Sequence, residues 1–201
     1  MRLLRALGLI ALLAAGAATG AAQADSLSGK LLVAREGMPD PRFQETVIYL
    51  VDHDENGAFG LIVNKPGGTG PIDALLDGLG FDLDDEGMGA LRGSSITLHY
   101  GGPVEQRRGF LLHSADYAID ETRVLSREFA LTIDPEALVD IAFGQGPRRS
   151  LLIFGYSGWG PSQLEGELAR GDWRVIDADA DLVLGTDHES KWRRALGGII
   201  I

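Results

Sequence analysis

From residue 28 onward, apolar positions come in short, nearly unbroken runs separated by glycine, proline and acidic residues. Leu31 to Ala34, Thr46 to Val51, Ala58 to Asn64 and Ser150 to Gly155 show little polar alternation, the pattern of strands buried on both faces. Asn56-Gly57 between the second and third runs predicts a hairpin, and Pro66 ends the return strand. Ile96 to Tyr100, Gly109 to His113, Phe129 to Ile133, Trp173 to Ile176 and Leu182 to Leu184 read as further strands.

Helical spacing is confined to short stretches. Ile72, Leu75, Leu76 and Leu79 repeat at i, i+3, i+4, i+7, with Pro71 at the first turn and Gly80 past the end. Asp134-Pro135 opens a second helix, Pro161 a third running to about Arg170, and Trp192 with Leu196 mark a last one. Residues 82–95 are acidic and glycine-rich and read as a loop. Strands and short helices mix without strict βαβ alternation, so the expected class is α+β, with a mostly antiparallel sheet.

Residues 1–24 have a different character. Arg2 and Arg5 precede an apolar run from Leu7 to Ala18, and Ala22-Gln23-Ala24 is an A-x-A cleavage site before Asp25. The run is shorter than the roughly 20 residues of a spanning helix. It predicts a cleaved signal peptide, a domain over residues 25–201, no transmembrane segment after cleavage, and a periplasmic or secreted location.

Composition narrows the chemistry. None of the 201 residues is cysteine, which excludes disulfides, thiolate metal sites and a thiol nucleophile. The formal net charge of −11 argues against broad phosphate-backbone binding, so a nucleic-acid partner is not expected. Glycine stands at 28 residues, twice the usual share of about 7%, and its scatter marks many tight turns.

Four motif groups carry a resemblance. They are Gly29-Lys30-Leu31-Leu32-Val33-Ala34 with Asp40 and Phe43; Thr46 to Leu50 with His53, Gly57 and Gly60 to Pro66; Gly101-Gly102-Pro103-Val104 with Arg108-Gly109-Phe110 and His113; and Gly155-Tyr156, Gly158-Trp159, Gln163-Leu164-Glu165, Glu167-Leu168 and Trp173, with Trp192 near the end. Over about residues 28–195 the chain resembles the AlgH/YqgE family of bacterial proteins. The resemblance implies an α+β fold whose bent, bifurcated sheet closes toward a pseudo-barrel, with short helices outside. It brings no established biochemical activity, a transcriptional-regulator label and a cytoplasmic location, the last at odds with the expected leader.

Polar and aromatic residues placed where apolar strands stop form the expected ligand surface: Asn64, Lys65, Gly101, Gly102, Arg108, His113, Tyr156 and Trp159. The leading reading is a non-catalytic binding or regulatory module with an unidentified small ligand or protein partner and no cofactor. One alternative is a metal-dependent hydrolase or phosphoesterase with His53, His113 and Asp40 as ligands, although no H-E-x-x-H spacing is present. The other is a transcriptional regulator, should the protein be cytoplasmic. Three near-motifs complete the reading. Gly67-Gly68-Thr69-Gly70 before a helix could cradle a phosphate but departs from the P-loop pattern. Gly155-Tyr156-Ser157-Gly158-Trp159 misses the nucleophile elbow by its last residue. Asp177, Asp179 and Asp181 start like a calcium loop, but Leu182 and His188 stand where Gly and Glu belong.

Overall fold

The computed structural model describes residues 26–81, 91 and 93–197. The expected signal peptide, most of the acidic loop and the apolar tail at 199–201 lie outside the described residues.

Ten strands form one curled, mostly antiparallel sheet, a half-barrel with short helices packed on it. They are β1 (Lys30–Ala34), β2 (Val47–Asp54), β3 (Gly57–Ile62), β4 (Pro66–Pro71), β5 (Ser95–Tyr100), β6 (Val104–Ser114), β7 (Arg123–Val124), β8 (Phe129–Thr132), β9 (Ser150–Trp159) and β10 (Trp173–Asp177). The helices are α1 (Ile72–Gly78), α2 (Glu136–Ala142), α3 (Gln163–Ala169), α4 (Ala180–Leu184) and α5 (Lys191–Ala195). The strand order is β10-β1-β2-β3-β9-β6-β8-β7, with β5 lying between β4 and β9.

The continuous apolar runs are explained by burial on both sheet faces. Leu31, Val33, Val47, Tyr49, Leu61 and Val63 point into an inner layer shared with Leu112, Phe129 and Ile153, and α4 and α5 close it with Leu182, Val183, Leu184 and Ala195. The alternate residues Leu32, Ala34, Ile48, Leu50 and Ile62 face an outer layer with Trp159, Leu164 and Trp173. A third layer under α1 and α2 covers the outside of β6 and β9. Full burial of each such side chain contributes about 1.5–3 kcal/mol.

Strand β9 is the branch point. Its Leu152–Phe154 stretch runs parallel to β5, while Ser157–Trp159 pairs antiparallel with β3. Two strands thus take successive stretches of β9, and β6 pairs with it from Ser150 to Tyr156. The bifurcation implied by the resemblance is therefore present.

Two elements differ from expectation. Leu182 to Leu184 is helical, because the Asp179 carboxylate accepts the Leu182 N–H at 2.9 Å and caps α4. Residues Pro66–Pro71 form β4, not a loop: Gly68, Thr69 and Gly70 pair with Leu98, Thr97 and Ile96. The exposed glycines there leave no apolar alternation for a sequence reading to detect.

Much of the last motif group is a hydrogen-bond hub. One carboxylate oxygen of Glu167 accepts both the Trp159 and Trp173 indole N–H groups at 2.8 Å. Its other oxygen accepts from Gln163, whose own amide oxygen accepts the Gly160 N–H. Phe43 packs on both indoles. Replacing Glu167 with Ala strands two buried indole donors, so Glu167→Ala is expected to cost about 2–4 kcal/mol in urea unfolding. Glu167→Gln, which keeps an acceptor, should cost less than half of that.

Candidate functional site

Gly101 and Gly102 sit where β3 and β5 part on the edge of β9. The Gly101 N–H donates to Phe154 O at 2.8 Å, and its carbonyl accepts from the Ile62 N–H at 3.1 Å and the Ser157 hydroxyl at 3.2 Å. A Cβ on Gly101 would lie 2.2 Å from Gly155 O, and one on Gly102, whose φ is 148°, 2.2 Å from the Tyr156 carbonyl carbon. Gly155 has φ 74°, and its Cβ would stand 2.6 Å from Gly102 O. Only glycines allow backbones this close.

Opposite Gly155, β6 is bulged. Val104 pairs with Tyr156 and Gly109 with Phe154, leaving Glu105 to Arg108 facing one residue. Glu105 adopts φ 44°, a strained value for a side-chain-bearing residue. Bulges re-aim side chains. Here the bulge carries Arg108 over the Phe110 ring, 5.3 Å from its centroid, while an Arg108 nitrogen donates to Glu105 at 3.2 Å.

The result is an aromatic-floored cleft of about 490 Å³. Phe59 and Tyr156 rings lie 4.9 Å apart, and Phe59 and Phe110 rings 5.5 Å apart. Leu131 and the half-exposed Ile133 form a wall. Arg123 stands at the rim, both terminal guanidinium nitrogens donating to Asp52.

Of the eight expected ligand residues, Arg108 and Tyr156 thus share this cleft, and Gly101 and Gly102 build its support. Asn64 and Lys65 line a second cavity, of about 440 Å³, together with Glu45, His188, Trp192 and Arg193. Asn64 is structural there: its side chain accepts the Val47 N–H and donates to Glu45 O, both at 2.8 Å, clamping Glu45 at φ 56°. Trp159 belongs to the Glu167 hub. His113 is fully buried in a different region, its Nδ1 donating to Ser114 O at 2.9 Å and its Nε2 without a partner.

The three expected metal ligands stand apart. Leu27 N–H donates to His53 Nδ1 at 3.0 Å, so the Nε2 proton goes to Glu165 at 2.9 Å and neither ring nitrogen is free. Asp40 caps the 3₁₀ turn Pro41–Phe43 and pairs with Arg42. Among the described residues no three His, Asp or Glu side chains gather as an ion site. The Asp177, Asp179 and Asp181 run divides into an ion pair with Lys30, a helix cap and an ion pair with Arg149. Ser157 is buried on Gly101 O, not poised as a nucleophile.

Residues 31–201 match the AlgH-like family model. The chain belongs to the AlgH-like family. It is 46% identical over 171 residues to a UPF0301 protein of Ruegeria pomeroyi, covering 85% of this chain and 90% of that one. A Methylococcus capsulatus relative is 43% identical over 169 residues, covering 84% and 89%. The solution structure of AlgH from Pseudomonas aeruginosa superposes with a TM-score of 0.71 at 33% identity, over 89% of this chain and 91% of AlgH. A Corynebacterium diphtheriae protein shares the fold at a TM-score of 0.63 and 20% identity, over 84% of each chain. Among the described residues of this AlgH-like chain no helix is long and apolar enough to cross a membrane.

Sequence reasoning missed the buried polar cluster beneath the second cavity. Lys191 has no exposed surface, and its ammonium donates to Val63 O at 2.9 Å and Val183 O at 2.7 Å. The Nε2 atoms of His99 and His188 are 3.3 Å apart, and His99 Nδ1 is 3.3 Å from Leu152 O. Burial, then the neighbouring His188, pushes His99 down to about 4. An unfolded His takes its proton near pH 6.5, which the folded site refuses. Stability from this group is therefore full above 6.5 and falls as pH drops from 6.5 toward 4, by about 3 kcal/mol. Histidine NMR should place the His99 midpoint near 4.

The fork makes its own prediction. Gly155→Ala adds a Cβ into backbone at positive φ, with an expected loss of about 2–3 kcal/mol in thermal or urea unfolding. Gly68→Ala, where a Cβ meets nothing within 4 Å, should change stability little.

Proposed function

We propose that this AlgH-like protein is a non-catalytic binding module whose aromatic-floored cleft receives a small planar anion. The observation that carries the reading is Arg108, held over Phe110 by a strained bulge beside the Phe59 and Tyr156 rings. A planar ligand gains stacking area on the rings, and its anionic group gains a guanidinium next to a low-dielectric wall. The cleft volume of about 490 Å³ falls in the range of small-molecule sites. Against a formal net charge of −11, and beside the Glu121 carboxylate in the same cleft, attraction for an anion has to come from Arg108 and Arg123.

The leader-like residues 1–24 support action in the bacterial periplasm or outside the cell. In that setting the module reports or carries an envelope metabolite, and a DNA-binding role is disfavoured by both location and charge.

The test uses anilinonaphthalene sulfonate, a fused-ring anion that fluoresces on leaving water. Expected is saturable one-to-one binding to the folded protein, weakened about tenfold by Tyr156→Ala and by Arg108→Ala. Arg148→Ala, at a different cavity, should leave the affinity unchanged. Unsaturable binding, or equal affinity in all three variants, overturns the assignment.

A further inference from the structure

The second cavity shares no lining residue with the aromatic cleft. Lys191, the neighbour of lining residue Trp192, is fully buried and bonds two backbone carbonyls, one of them Val63 O beside the lining Asn64. Asp187, whose field reaches the ammonium, is itself hydrogen-bonded to Ser190. A buried cation hydrogen-bonded only to carbonyl dipoles, with Asp187 acting on it from a distance, lacks the contacting counter-charge that normally offsets its desolvation. Lys65 and Arg193 line the cavity above and form no ion pair among the described residues. His188 lines it too, its buried Nδ1 lying beside the Val63 backbone without a well-aligned hydrogen bond. Two carboxylates, Glu45 and Glu189, also face the cavity, both on exposed residues where water and salt screen them.

We propose that this cavity binds a small oxyanion between Lys65, Arg193 and His188, and that binding draws a proton onto Lys191. The incoming charge supplies what the buried ammonium lacks. The titratable groups around Lys191 are His99 from β5, His188 and Asp187 from the segment before α5, and Arg194 from α5 itself. The exit of β3 and helix α4 contribute carbonyls, Val63 O and Val183 O. Burial, reinforced by Arg194, pushes Lys191 down to about 7. At pH 8 the empty protein therefore holds this amine largely neutral, and the anion restores its charge. Linkage makes the effect reciprocal: protonation tightens anion binding by the factor that the anion tightens the proton. His188 is pushed below its ordinary range by burial, so at pH 8 it remains neutral and the proton is assigned to Lys191.

Sulfate is the probe, because it does not titrate in this range. Calorimetry at pH 8 in two buffers of different ionisation heat should show one-to-one binding with fractional proton uptake. Affinity should rise as the pH is lowered from 8 to 6.5. Lys65→Ala should weaken sulfate about tenfold while uptake persists. Lys191→Met should abolish uptake. Should that variant not fold, NMR of the Lys191 Cε in the wild-type protein decides, its titration midpoint rising when sulfate is added. Absence of saturable sulfate binding, equal apparent heats in both buffers, or an unmoved midpoint overturns the proposal.

Discussion

The close approach of Gly101, Gly102 and Gly155 is the constraint on which the architecture rests. A sheet that forks must leave backbone groups unpaired at the point of division, and buried unpaired groups are costly. Here Gly101 fills that point, bonded to Phe154 and Ser157 of β9 and to Ile62 of the diverging β3. The absence of side chains lets the β5–β6 turn press against β9, and the displaced residues of β6 emerge as the bulge. The arginine-bearing cleft is thus a by-product of sealing the fork. Structure and candidate site are consequences of one steric condition, and neither can be altered at these glycines without the other.

Much of the fold was legible in the sequence because its signals were local. Thr46 to Val51 lacks alternation, and both faces of β2 are buried. The hairpin expected at Asn56-Gly57 is present, with Glu55 and Asn56 as its turn and Gly57 already paired to Asp54. The Leu182 to Leu184 stretch misled because three apolar residues carry no period, and its helical state depends on the Asp179 cap. Strand β4 was hidden by glycines whose pairing partner, β5, is supplied from beyond the helix α1.

The residues of the two candidate cavities divide in the same way. Arg108 and Tyr156 stood out because each adjoins a glycine beside an apolar run, although the structure places both inside longer strands, β6 and β9. Lys191 did not stand out, because Lys191-Trp192-Arg193-Arg194 reads as the basic face of a surface helix. Its burial is set by where Val63 and Val183 bring their carbonyls, a long-range outcome with no local trace. His188 sits in a polar stretch, and only the fold sets it against His99. The residues Trp159, Gln163, Glu167 and Trp173 of the last motif group hold one another through hydrogen bonds. A family signature can record an internal bonding network as sharply as a chemical site.

The pairing of β1 with β10 bears on how the chain reaches this state. β1 is flanked by β2 on one side and by β10, from Trp173 to Asp177, on the other. β9 likewise joins strands that were all made before it. Such distant pairings slow folding, because the loops must close before the contacts reward them. A chain appearing amino end first holds Leu31 to Ala34 at an unpaired edge until residues near 177 are available. That edge is open to pairing with other chains in the interval. The last segments to be synthesised are what turn the first strand from an aggregation hazard into an interior one.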